Sequence, residues 1–133
     1  MNISSDDNVE NLVDMSWVIL DQPVYYQCHD EVTISPTRPL VGDDERYDSF
    51  IYDGKGGRLR LVDRHGADLA EPSQEALLFI GSGKNLQFKN VIIQNGEYLD
   101  SCISLGTNSS YSTSEDDGVF LLTETNHFSE GTL

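Results

Sequence analysis

Basic residues are scarce and confined in this sequence. All eight lysines and arginines fall between Arg38 and Lys89, against 23 aspartates and glutamates spread along 133 residues, for a formal net charge of −15. A chain so acidic repels phosphate backbones and anionic head groups, which argues against nucleic acid as a partner and against direct membrane insertion. Long apolar runs are also missing, and none approaches the ~20 residues that span a bilayer. The first residues, Met1-Asn2-Ile3-Ser4-Ser5-Asp6-Asp7, have neither the basic start nor the apolar middle of a secretory leader. The Asn-x-Ser patterns at Asn2 and Asn108 are therefore discounted as glycosylation sites, and a cytoplasmic location is expected. Cys28 and Cys102 are too few for a disulfide framework or a four-cysteine zinc site.

What remains is enough for one domain with an ordinary core. Residues 1–37 and 90–133 carry seven acids each and no base, whereas the window from Arg38 to Lys89 is nearly neutral. A neutral middle between acidic flanks suits a core whose ends are solvated or meet something basic. Residues 1–15 form an acidic segment in which Ser4, Ser5 or Asp6 caps a short helix with an apolar stripe of Val9, Leu12 and Val13. Residues 16–122 form the β domain, and 123–133 a polar tail.

From Trp17 onward the texture is short β-rich runs separated by Gly, Asp, Asn and Pro. The runs include Trp17–Leu20, Val24–Tyr26, Val32–Ile34, Phe50–Tyr52, Leu59–Val62 and Leu77–Ile80. Leu86–Phe88, Val91–Ile93, Cys102–Leu105 and Val119–Leu122 complete the series. The fold class is all-β. Val32/Ile34, Leu59/Leu61 and Leu86/Phe88 are evenly spaced, and Phe50-Ile51 before Gly54-Lys55 parallels Phe79-Ile80 before Gly83-Lys84. Such spacing points to a short parallel right-handed β-helix of three to four coils, capped by the N-terminal helix, with Asn90 in an inward ladder position. The alternative is an antiparallel β-sandwich or jelly roll, for which Asn95-Gly96 would be a hairpin turn. In a β-helix the last coil is an uncovered sheet edge, so the chain is expected to be a piece of a larger protein or to pair with another chain.

The residues that carry chemistry do not assemble into a motif. Gly81-Ser82-Gly83-Lys84-Asn85 lacks both the first glycine and the hydroxyl of a phosphate loop, and reads as a turn between strands. His29, His65 and His127 are isolated, and Cys28-His29-Asp30 is read as a buried thiol beside an exposed imidazole, since strand neighbours face opposite ways. The acidic clusters Asp43-Asp44-Glu45 with Asp48, and Glu115-Asp116-Asp117, fit no calcium loop and are read as solvated. Arg58, Arg60 and Lys84 are the basic residues near repeated positions, with no inter-coil carboxylate assigned to them. Ser112, Thr113 and Ser114 each stand three residues before an acid, the pattern of acid-directed phosphorylation, within a stretch read as a turn. No catalytic, cofactor-binding or metal residue is assigned, and the chain is not expected to be an enzyme.

Within residues 77–119, several elements occur in order. They are Leu77-Leu78-Phe79-Ile80, Gly81-Ser82-Gly83-Lys84, Phe88-Lys89-Asn90-Val91-Ile92-Ile93, Asn95-Gly96, Leu99-Asp100-Ser101-Cys102-Ile103-Ser104-Leu105-Gly106 and Ser109-Ser110-Tyr111-Ser112. This combination resembles a segment of the very large vacuolar protein sorting-associated protein 13 family, especially its plant members. The resemblance covers about a third of the chain. It implies a fragment of a bridge-like lipid transfer protein, peripheral to organelle membranes through its parent, with roles in vacuolar protein sorting and at membrane contact sites. The lipid groove of that family lies elsewhere, so the expectation here is a non-catalytic accessory β domain acting in protein interaction or spacing. The partner would be a protein or the remainder of the parent chain. The alternative is a β-helix enzyme or binding module for polysaccharide.

Overall fold

The computed structural model describes residues 18–122. The helix expected within 1–15 and the tail 123–133 lie outside the described residues. The chain forms strands β1 (Val18–Ile19), β2 (Val24–Tyr26), β3 (Glu31–Ile34), β4 (Leu40–Gly42) and β5 (Ser49–Leu61). These are followed by β6 (Leu78–Ile80), β7 (Asn85–Gln94), β8 (Ile103–Leu105), β9 (Ser110–Ser112) and β10 (Val119–Leu122). Helix is limited to single turns at Gly96–Tyr98, Leu99–Cys102 and Glu115–Asp117 among the described residues. The chain is all-β.

The strands make two sheets, one ordered β1-β4-β6-β8 and the other β10-β7-β5-β2, with β3 added on β5 and β9 on β7. Every ladder joining described strands is parallel. Antiparallel pairing is confined to the isolated bridges Ser35↔Arg38 and Val62↔Asp68. That excludes the antiparallel sandwich and jelly roll.

The register shows how the chain advances. Val18 lies beside Leu40, Leu40 beside Leu78, and Leu78 beside Ile103. Tyr25 lies beside Tyr52, and Tyr52 beside Phe88. Val32 lies beside Leu59, Leu59 beside Ile93, and Ile93 beside Leu121. The two long strands β5 and β7 each serve two of these columns, with a bend at Gly54–Gly56 in β5 and at Asn90 in β7. The chain thus passes through the same three strand positions again and again.

Parallel stacking in register keeps a column of side chains on one side of the wall. The inward columns form one apolar core: Leu40 and Leu78; Phe50 and Leu86; Tyr52 and Phe88; Leu59 and Ile93. Each of these is at most 1% exposed, so the core is closed along its middle. Tyr25 stacks on Tyr52 with ring centroids 5.2 Å apart, and Tyr52 tilts against Phe88 at 5.7 Å, continuing an aromatic column through three layers. The buried Tyr52 hydroxyl donates to Gln27 Oε1 at 2.8 Å. Gln27 Nε2 in turn donates to the carbonyls of His29 at 2.6 Å and Arg58 at 3.1 Å, so the polar atoms of both side chains are satisfied. Burial and the hydrogen bond keep that phenol protonated, its pKa pushed well up by desolvation.

The corner between the second and third columns is built on left-handed backbone. Lys55, Asn90 and Gly118 have φ of 55°, 52° and 79°. Asp53 Oδ1 accepts the Lys55 N–H at 2.9 Å and the Asn90 Nδ2 at 3.3 Å, tying one layer's corner to the next. At Gly118 a Cβ would stand 2.8 Å from Asn90 Oδ1. Glycine is needed there for space and conformation alike.

Three details of the expected repeat are corrected. Val32/Ile34 do pair with Leu59/Leu61, but Leu86 and Phe88 pair with Phe50 and Tyr52. The excursion from Val62 to Leu77 lengthens that pass, so the partner of Leu59 is Ile93. Phe50 and Phe79 are not equivalent either, since Phe79 lies beside Val41 and faces outward at 39% exposed. Asn90 is an exposed corner residue rather than an inward one, and Asn95-Gly96 opens a helical turn instead of a hairpin.

Because the Phe88 ring is enclosed by aromatic and aliphatic columns, Phe88→Ala should destabilise the chain by about 3–5 kcal/mol in urea unfolding monitored by circular dichroism. An exposed, outward substitution such as Phe79→Ser should shift the midpoint far less.

Candidate functional site

The residues singled out by sequence end up scattered. Cys28 lies two residues past Tyr26, the last residue of β2, so the alternation of a strand no longer governs it, and it is exposed rather than buried. Its thiol points to the Tyr26 carbonyl, 3.7 Å away. His29 is exposed beside it, and the His29 carbonyl serves Gln27. Cys102 is the buried cysteine, its thiol pushed up to about 12 chiefly by desolvation. His65 lies in an Asp63 turn whose carboxylate accepts backbone N–H groups from His65 and Ala67. Those bonds, the one from Ala67 foremost, hold the Asp63 carboxyl below the usual range. His127 lies outside the described residues.

The basic residues are engaged structurally. Lys84 Nζ is drawn inward to the Tyr47 carbonyl at 2.6 Å, which makes the Gly81–Lys84 segment a pinned turn between β6 and β7. Arg60 Nε donates to Asp68 Oδ1 at 2.7 Å, and its Nη1 lies 3.8 Å from Glu31 on the neighbouring layer. An inter-layer carboxylate therefore does pair with Arg60, a contact the sequence reading did not assign. Asn95 joins this cluster, its Nδ2 donating to Asp68 Oδ1 at 3.0 Å and to the Leu61 carbonyl at 2.9 Å. Arg58 Nη1 donates to Gln94 Oε1 at 3.0 Å. Asp44 in the first acidic cluster binds Arg46 through both oxygens, and that hydrogen bonding lowers its carboxyl to about 2. In the second, Glu115 to Asp117 form a helical turn capped by Ser114 Oγ, which accepts the Asp116 N–H. Ser112 lies in β9 rather than a turn and is exposed. No group of three metal-ligating side chains comes together among the described residues.

Two surface features remain. The first is a shallow groove of about 560 Å³ along the left-handed corner, walled by Asp53, Lys55, Asn90, Ile92 and Phe120. Its polar groups are partly spent on each other, and Lys55 Nζ sits over the Tyr26 ring at 5.2 Å. The groove offers one aromatic face and an amide.

The second is the C-terminal end of the stack. Strands β8, β9 and β10 each pair with one described neighbour. Leu105 continues the column of Ile80 yet is 43% exposed, while Ile80 is 3% exposed. Leu121 continues the column of Leu59 and Ile93, both 0% exposed, yet is itself 44% exposed. Leu121 rests against Gly96, where a Cβ would come within 2.9 Å of its Cδ2. The first strands differ: Val18 and Ile34 are 4% and 0% exposed. At the start Val32 and Tyr25 are only partly buried, and at the end Val119 is buried at 2%, so the exposure at the last strands is confined to Leu105 and Leu121 among these inward positions. Asp100, Glu115 and Asp116 stand exposed around that end, with Asp100 accepting the Tyr111 hydroxyl.

No family model, curated protein or solved structure matches the chain. No helix among the described residues is long and apolar enough to cross a membrane.

The two thiols should respond oppositely to a water-soluble disulfide reagent. In the native chain one thiol should react at pH 8, that of Cys28, and both should react in denaturant. Raising the pH to 9 should leave Cys102 unlabelled, since its thiol is buried and desolvation holds it protonated well above that pH.

Proposed function

We propose that the chain is a non-catalytic accessory β module, a short right-handed parallel β-helix of three to four coils that works by protein interaction or spacing. The parallel register supports the coil reading: three strand positions recur, and parallel crossovers run right-handed in nearly all proteins. The observation that carries the functional reading is the C-terminal end, where two inward columns finish on exposed Leu105 and Leu121 while a third finishes on buried Val119. A solenoid that ends this way needs a cap, from its own continuation or from another chain. The engagement of Arg60, Lys84 and Asp44 in structural bonds supports a framework rather than a reaction centre.

The residues between Leu77 and Val119 that resemble the vacuolar protein sorting-associated protein 13 family extend the reading. On it, the module belongs to a bridge-like lipid transfer protein, is held near organelle membranes by its parent, and spaces or docks while the lipid conduit lies elsewhere. A second reading, a β-helix that binds polysaccharide, draws on the corner groove, where the Phe120 face and Asn90 amide would stack on and hydrogen-bond a sugar.

An antibody to residues 97–118 separates these readings on an immunoblot of the native gene product. A band of several hundred kilodaltons is expected. A band at the 14.8 kDa of the chain would overturn the accessory-module reading. Retention of the chain on a uronate polymer, lost in Phe120→Ala, would favour the second.

A further inference from the structure

We propose that the β10 edge at the C-terminal end is a docking site for an extended, basic–apolar peptide segment of a protein partner. It would add as a further strand on Val119–Leu122. The proposal rests on the interaction reading above and names the chemistry of the partner.

Three observations carry it. β10 lies at the edge of its sheet, paired with β7 alone among described strands, and an edge strand presents a row of hydrogen-bonding backbone groups. Its exposed side chains are apolar on both faces: Leu121 at 44% points along the core columns, and Phe120 at 51% points along the outward column of Arg58 and Ile92. An incoming strand with apolar residues at alternate positions would cover Leu121 as Leu121 covers Ile93. Charge then selects the partner. Glu115 and Asp116 are exposed just before β10, and no lysine or arginine follows Lys89 in the chain. A second copy would bring the same acids against each other, so self-association through this end is disfavoured. A segment flanked by lysine or arginine is attracted instead.

The test uses the full chain and two synthetic peptides, Lys-Lys-Val-Thr-Val-Thr-Val-Thr-Lys-Lys and the same core with glutamate at all four lysine positions. Binding is read by fluorescence anisotropy. The lysine peptide should bind saturably, more weakly as salt rises, and the glutamate peptide should bind at least tenfold more weakly. Leu121→Glu, which adds negative charge, should weaken the lysine peptide by about tenfold or more, because the covered leucine is lost. Ile19→Glu, on an outward face at the other end, should leave binding unchanged. N-methylation of the threonines should abolish binding, because a parallel strand that sets valine over Leu121 donates to β10 from the residues between the valines.

Equal binding of both peptides, tighter binding to Leu121→Glu, or no saturable binding would overturn the proposal. So would a dimer in light scattering that Leu121→Glu dissolves, which assigns the edge to a second copy. None of these outcomes changes the length of the native gene product, so the failure of this site and of the accessory-module reading are told apart.

Discussion

Parallel register is the constraint on which the rest depends. Because each strand lies over its counterpart in the same direction, a side chain that points inward in one layer does so in the next. Columns such as Tyr25–Tyr52–Phe88 and Leu59–Ile93 follow from that alone. Each layer covers the one before it, and the layers exclude water jointly rather than singly. A core built this way is strongest where a layer has neighbours on both sides and weakest at an end. The column of Leu59 and Ile93 follows that rule, from 0% at both to 44% at Leu121, whereas Ile34 and Val119 stay buried in end strands.

The corners are where sequence has least freedom. Asn90 turns the chain in a single residue, and its left-handed backbone is one that asparagine tolerates better than most. Asp53 then ties two layers through that corner. Elsewhere the passes differ in length without disturbing the columns. The excursion Val62–Leu77 is anchored by buried Leu69, by the Arg60–Asp68 pair and by Arg64 with Glu75. Arg60 bridges that excursion to Glu31 of another layer, so a polar cluster does at one corner what apolar columns do inside. Asn95 Oδ1 is buried there without a partner among the described residues, although its Nδ2 makes two bonds.

Much of the fold was legible because β-rich runs separated by Gly, Asp and Asn mark strands whatever their pairing. The pairing itself was legible only where two passes happen to have equal loops, as between Val32 and Leu59. Once the Val62–Leu77 excursion intervenes, even spacing misleads, and Leu86 looks like the successor of Leu59 when Ile93 is. β4 escaped notice as two apolar residues between Pro39 and Gly42, and β9 because Ser-Tyr-Ser reads as a turn. Both are held by their neighbours rather than by their own propensity. Strand alternation fails to place Cys28 because β2 ends two residues before it. Which inward residues end exposed depends on the register, and no local signal marks Leu105 or Leu121.

The most direct test of this account is the pattern of inter-strand proton contacts in solution. Antiparallel neighbours bring alternate α-protons close together, and parallel neighbours do not. A nuclear Overhauser spectrum of the labelled chain should show Val32, Leu59 and Ile93 in one succession and Tyr25, Tyr52 and Phe88 in another, without strong α-proton pairs between those strands. Strong α-proton contacts between β5 and β7, or contacts from Leu59 to Leu86 in place of Ile93, would contradict it.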